Sequence, residues 1–208
     1  MVQEPPSMHV FLVHGMGRTP RSLALLSTRL GRGGLSTSRF GYDVRTHALD
    51  EITTRFVAHV GERASGEAYG IVGHSLGNVI ARLASPRLPP GLRRIVMLAP
   101  PNRPPRLATL LRDRPMFRAL ARDAGQRLAY PAFYASLPVP TVPTLVFAGT
   151  GGPRTRWLPL GHVDSDGVVA VDETALEGAE HRTVPVLHTF IMNDARVAAE
   201  ALAFLRRG

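Results

Sequence analysis

Gly73-His74-Ser75-Leu76-Gly77 stands between an apolar run, Tyr69 to Val72, and a stretch in which Leu76, Val79, Ile80, Leu83 and Ala84 recur at i, i+3, i+4, i+7 and i+8. The run has the pattern of a short strand and the stretch that of one apolar helix face, so the pentapeptide has to turn strand into helix. A serine at such a turn takes a strained backbone conformation, and the residues two places away on each side must be small for strand and helix to pass closely. Gly73 and Gly77 meet that need. The turn therefore reads as a nucleophile elbow, with the free N–H groups and positive dipole end of the following helix aimed at the space beside Ser75.

The rest of the chain alternates in the same way. Met8 to Val13 is a nearly unbroken apolar run, the mark of a strand covered on both faces, and it leads into His14-Gly15-Met16-Gly17, where glycines let the backbone turn and present N–H groups. Thr19 and Pro20 open a helix with Leu23, Leu26 and Leu30 on one face, closed by Gly31 to Gly34. Tyr42 to Ala48 alternates as an edge strand would, and Asp50 is expected to cap a helix carrying Ile52, Phe56 and Val60. Arg94 to Ala99, Thr144 to Ala148 and Thr183 to Leu187 complete the strands, Pro185 putting the last at an edge; Asn193 or Asp194 starts a final helix. Strands alternating with helices predict an α/β fold: a doubly wound, mostly parallel sheet of about six strands. Such sheets bind ligands at the carboxyl ends of their strands.

One stretch breaks the rhythm. Pro100 to Pro140 is rich in proline, spaces Leu107, Leu110, Leu111, Met116, Phe117 and Leu120 as a helix would, and up to Tyr130 carries seven arginines and two aspartates. An insertion here, after the fourth strand, would overhang Ser75 as a lid or substrate-binding cap; helices packed on the sheet edge with a solvated arginine face are the alternative. The whole chain, 1–208, is expected to form one domain, since 208 residues suffice to bury about 70% of the unfolded surface in one core.

Composition removes several chemistries. Without cysteine there are no disulfides, thiolate nucleophiles or Cys-ligated metal sites, and all 25 basic residues are arginine, which excludes a Walker-A lysine, a Schiff base and a Ser–Lys dyad. No H-E-x-x-H, carboxylate cluster or dinucleotide fingerprint occurs, so neither a metal nor a cofactor is expected. The net charge of +9, tied to the complete avoidance of lysine, indicates no specific nucleic-acid partner. No apolar run approaches the ~20 residues of a membrane span, and MVQEPPSMHV lacks the layout of a secretory leader, so a cytoplasmic location is expected.

A serine needs a base within hydrogen-bond reach, itself oriented by a third group. Of the eight histidines, His188 is placed best, directly after the last strand in VPVLHTF. His74 is expected to pack locally and His14 to brace the glycine loop. Asp166, in Asp164-Ser165-Asp166-Gly167, is the expected acid, with Asp164 its rival; Asp172, Glu173 and Glu177 read as a solvated face. The backbone N–H groups of Met16 and Leu76 are placed to form an oxyanion hole, supported by Gly15, Gly17, Gly73 and Gly77.

HGMG at 14–17, GHSLG at 73–77, DGVV at 166–169 and VLHTF around His188 together resemble the α/β-hydrolase superfamily, in its esterase/lipase group and nearest the small, minimal lipase-like serine hydrolases. The resemblance spans most of the chain outside Pro100 to Pro140. It departs at Asn78, where many relatives have glycine, and in the two acids crowding the DSDG segment. It implies a serine hydrolase cleaving carboxylic esters through an acyl-enzyme on Ser75, with a small-molecule or lipid ester as substrate. Acyl transfer or lipid deacylation in peripheral contact with an anionic membrane, and a noncatalytic binding protein on a hydrolase scaffold, are the alternatives.

Overall fold

The computed structural model describes residues 8–64 and 66–207. The residues ahead of Met8, on which the expectation about a leader rested, lie outside that range. Six strands, β1 (His9–Val13), β2 (Ser36–Phe40), β3 (Tyr69–His74), β4 (Leu92–Leu98), β5 (Thr144–Gly149) and β6 (Glu180–Val184), form one sheet in the order β2-β1-β3-β4-β5-β6, and every neighbouring pair is parallel. Helices α1 (Ala24–Arg32), α2 (Leu49–Ala64), α3 (Leu76–Ala84) and α7 (Ala195–Leu205) flank it.

Both faces are covered because the central strands are apolar over residues 10–13, 69–72, 95–98 and 145–148. Along β1, Phe11 and Val13 join Ile52, Phe56, Val60, Val79 and Ile80 of α2 and α3, while Val10 and Leu12 join Leu23, Leu26, Leu30, Val197, Ala201 and Phe204 on the other side. The strand order reverses between β1 and β3, which opens a crevice at their carboxyl ends. The HGMG loop leaves β1 and the elbow leaves β3 at that crevice.

Between β4 and β5 the insertion forms three helices, α4 (Arg106–Leu111), α5 (Pro115–Leu128) and α6 (Pro131–Ala135). Helix α5 is broken at Arg122, whose φ of 43° and ψ of −138° are not helical. Among the described residues no helix is long and apolar enough to cross a membrane.

Four local expectations are corrected. The second strand is Ser36–Phe40, not Tyr42 to Ala48: its pairing with β1 ends at Val13 and Phe40, and Asp43 then turns the chain by accepting from the Arg45 N–H at 2.9 Å through its side chain and from Thr46 and His47 through its carbonyl. This edge strand is polar, and its hydroxyls meet partners from α1 and β1: Ser36 and Ser38 bond His9, and Thr37 bonds Ser27. The last strand ends at Val184, three residues earlier than Thr183 to Leu187 would have it, leaving Pro185 outside the ladder as its missing N–H requires. Asp50 does not cap α2; the Leu49 N–H donates instead to Asp123 of the insertion at 2.9 Å, and Asp50 receives both terminal nitrogens of Arg127 at 2.8 and 2.6 Å. Thr19 makes no side-chain cap, and Pro20 opens a 3-10 turn, Pro20–Leu23, ahead of α1.

Candidate active site

Ser75 sits at the tip of the β3–α3 turn with φ 51° and ψ −120°, a conformation that costs a non-glycine residue on the order of 1–3 kcal/mol and persists only where its surroundings enforce it. They do so here by close contact. A Cβ on Gly77 would lie 2.3 Å from the Val13 carbonyl oxygen, and one on Gly73 would lie 2.3 Å from Asn78 Oδ1. The Ser75 N–H donates to Leu98 O at 2.9 Å, and the buried Asn78 amide donates to Ser75 O at 3.2 Å and Leu98 O at 3.1 Å. Asn78, the departure from the expected glycine, thus ties the elbow to the end of β4.

The glycine loop presses against this turn. A Cβ on Gly15 would lie 2.8 Å from His74 Nδ1 and 3.1 Å from the Ser75 Cβ. His14 braces the loop: its ring stacks on Tyr42 at 4.2 Å, its Nδ1–H donates to Gly15 O at 2.9 Å, and its carbonyl accepts from the Tyr42 hydroxyl at 2.7 Å. Burial lowers the His14 pKa, so the ring stays neutral, as a donor at Nδ1 and an acceptor at Nε2 must be. Met16 lines the crevice between Gly15 and Gly17, and Leu76 opens α3, where a first-turn N–H has no partner within the helix.

His188 and Asp166 meet across two loops. The His188 Nδ1–H donates to Asp166 Oδ2 at 2.7 Å, while Asp166 Oδ1 accepts from the N–H groups of Val168 and Val169 at 2.9 and 2.7 Å. The His188 N–H also donates to the Asp166 carbonyl at 3.0 Å, fixing one loop to the other. Both side chains are buried. Asp164 points elsewhere, half-exposed and paired with Arg154, so the DSDG segment offers one acid to the histidine and the other to solvent. His74 packs locally as expected, its Nε2–H donating to the His188 carbonyl at 3.1 Å. Burial, the largest cause, holds its pKa well below 6.5.

Ser75, His74, His188 and Met16 open on one cavity of about 1130 Å³. Its far wall comes from the insertion: Leu107, Leu111, Met116, Phe117 and Leu128. Four residues fasten that wall, and sequence patterns identify none of them. Buried Arg82 of α3 donates to Pro138 O, Leu137 O and Asn102 Oδ1 at 2.9, 3.1 and 3.2 Å, clasping both ends of the insertion. Glu173, expected on a solvated face, is instead buried, accepting from the Arg106 N–H at the start of α4 and from the Ala170 N–H, both at 2.8 Å. Asp123 caps α2, and Arg127 joins Asp50.

Strand order, elbow and glycine loop together define a fold of the α/β-hydrolase class. A family model described as Alpha/beta hydrolase family matches residues 10–207, and the chain belongs to that family. Among solved structures it is similar to the mature lipase BlEst2 of Bacillus licheniformis, with a TM-score of 0.79 and 16% identity over 97% of this chain and 93% of that one. A structure described with the metagenome-derived lipolytic enzymes LipS and LipT gives 0.66 at 16% identity, covering 97% and 94%. A hydrolase from Oleispira antarctica gives 0.65 at 14% identity, covering 98% and 93%. At these identities the likeness is one of fold. No curated protein sequence matches the chain significantly.

Proposed function

We propose that the chain is a carboxylic-ester hydrolase working through an acyl-enzyme on Ser75. The observation that carries this reading is the 2.7 Å His188–Asp166 hydrogen bond on the same cavity wall as a serine held at positive φ. With Nδ1–H given to Asp166, the Nε2 lone pair of His188 is free to take the Ser75 hydroxyl proton as Oγ attacks the ester carbonyl. The N–H groups of Met16 and Leu76 receive the developing oxyanion. His188 then returns the proton to the departing alcohol, and a water repeats the sequence to release the acid. Asp166 holds the imidazole in the tautomer this requires.

The insertion serves in this reading as the cover of the acyl site. Leu107, Leu111, Met116 and Phe117 offer an apolar wall, and each acyl methylene buried against it contributes about 0.8 kcal/mol. Leu110 and Met116 stand exposed among Arg112, Arg114 and Arg118, which favours a lipid ester presented at an anionic surface over a small ester from bulk water. The test is fluorophosphonate labelling with adduct mapping, followed by a 4-nitrophenyl ester series from acetate to decanoate with and without anionic vesicles. A single adduct on Ser75 and kcat/KM climbing over several carbons are expected. Folded protein that takes no label would reject the enzyme, and a series flat in chain length and indifferent to vesicles would reject the lipid substrate.

A further inference from the structure

The charged side chains lining the cavity are Arg18, Asp43, Arg45 and Arg114. Asp43 and Arg45 cancel: their side chains pair at 2.8 Å, and hydrogen bonds from Arg45 hold the Asp43 carboxyl at about 2. Arg114 stands exposed on the insertion, at the solvent end of the wall. Arg18 differs from all of these. It leaves the HGMG loop half-buried, its guanidinium close enough to His74 to lower that ring's pKa, and its Nη2–H donates to Thr189 Oγ1 at 2.8 Å. Among the described residues no carboxylate lies within ion-pair distance of it, whereas Arg106, Arg127, Arg154 and Arg207 each have one. The bond to neutral Thr189 fixes its direction, uses one of five N–H donors and brings no negative charge to the guanidinium.

We infer that Arg18 is an anion subsite and that the preferred esters carry a carboxylate or phosphate on their alcohol portion. The side follows from the chemistry. His188 hands its proton to the leaving alcohol, so a group beside His188 faces that alcohol, and Arg18 is bound to the residue immediately after His188. A guanidinium in a largely apolar, partly water-excluded wall recognises an anion more strongly than the same group in open solvent, and its planar fork suits carboxylate or phosphate oxygens. The apolar insertion wall remains for the acyl chain, and the two ends of the substrate are told apart by polarity.

This inference rests on the assignment of Ser75 and His188, and its test separates the two. Butyrate esters of 4-hydroxybenzoate and 4-hydroxybenzamide are close in size and differ in the charge of the leaving group, and their difference in intrinsic reactivity cancels when the ratio is compared between variants. The wild-type ratio of their kcat/KM values, anionic over neutral, is expected to fall about tenfold in Arg18→Gln, the scale of a lost charge-assisted hydrogen bond. Thr189→Val breaks the same loop-to-loop bond but keeps the charge, and there the ratio should stay within about threefold of wild type. A ratio unchanged in Arg18→Gln, or lost equally in Thr189→Val, would make Arg18 a latch between loops and overturn the subsite. Binding of the two esters to Ser75→Ala protein, read by calorimetry, needs no turnover. Tighter binding of the anionic ester there, lost when Arg18→Gln is added, would support the subsite even if hydrolysis failed; equal binding of both esters would reject it.

Discussion

The carboxyl edge of the sheet and the insertion above it face each other across one cavity and are held by different mixtures of packing and polar bonding. Strand β3 is buried at all six positions, and the elbow after it is fixed by shape: the Gly77 position abuts the Val13 carbonyl, and the Gly73 position abuts Asn78. Helices α4 and α6 have no buried residue; the insertion joins the core through Ala124, Leu128 and Leu137 and is otherwise held down by polar bonds that Arg82, Glu173, Asp123 and Arg127 make to other parts of the chain. Close packing has no intermediate setting, whereas a polar fastener exchanges with water at small net cost. Under the proposed function, that difference would leave bond-making to the more closely packed part and substrate admission to the other.

The largest effects should fall on the rigid side. Ser75→Ala and His188→Ala are each expected to reduce ester hydrolysis by on the order of 10⁴ or more, and the double variant should be no slower than the worse single one, because the two act as a unit. A double variant slower by the product of both losses would separate the two residues and break the site into independent parts. Next in size, Asp166→Asn should cost about 10³ to 10⁴ in kcat through the wrong imidazole tautomer. Asp164→Asn, which loses an exposed partner of Arg154, should change little. The reverse ranking would move the acid.

The same division governs what could be read from residues alone. The tight turn at Ser75, the glycine loop, and the placing of His188 against Asp166 rather than Asp164 are legible because each depends on a local requirement: small residues where backbones touch, an apolar run for a covered strand, a loop directly after a strand. The second strand is not legible in this way because Ser36 to Ser38 satisfies its polar groups through His9 and Ser27, contacts distant in sequence that leave no hydrophobic period. The burial of Glu173 is hidden for a related reason. An acid in a run of mixed polarity looks solvated, and the approach of the α4 N-terminus, 67 residues away in sequence, joins the Ala170 N–H in supplying the partners that make its burial tolerable.

Breaking a fastener tests the insertion side directly. Arg82→Met removes three donors from buried carbonyl and amide oxygens at both ends of the insertion while keeping much of the side-chain volume, and a loss of about 2–3 kcal/mol is expected. Hydrogen exchange should show that loss concentrated in α4 to α6, with β3 and β4 still protected. Uniform loss of protection across the sheet would mean that insertion and scaffold unfold as one unit, and the contrast between them would fail.

The smallest effect separates the two sides by pH. Burial holds the His74 pKa well below its ordinary 6.5, so below pH 6.5 the unfolded chain binds a proton at this residue that the folded chain refuses. The unfolded state then carries more protons, and stability falls with falling pH by up to about 1.4 kcal/mol per unit for this one ring. Glu173 runs the other way: burial raises its pKa above 4.5, so its contribution is complete below 4.5 and is lost as pH rises through the folded value, where the unfolded chain has already released the proton. Urea midpoints measured from pH 4 to 8 can tell the two apart. His74→Gln, which keeps an N–H to offer the His188 carbonyl, should flatten the decline on the acid side of 6.5 by about one proton's worth, while His9, His14, His59 and His181, whose pKa values burial also lowers, continue to contribute. Glu173→Gln should leave that limb alone and remove a decline that begins above 4.5. If His74→Gln left the acid limb at its wild-type slope, the buried ring beside Ser75 would not be neutral by burial, and the elbow would not be the water-excluded half of this site.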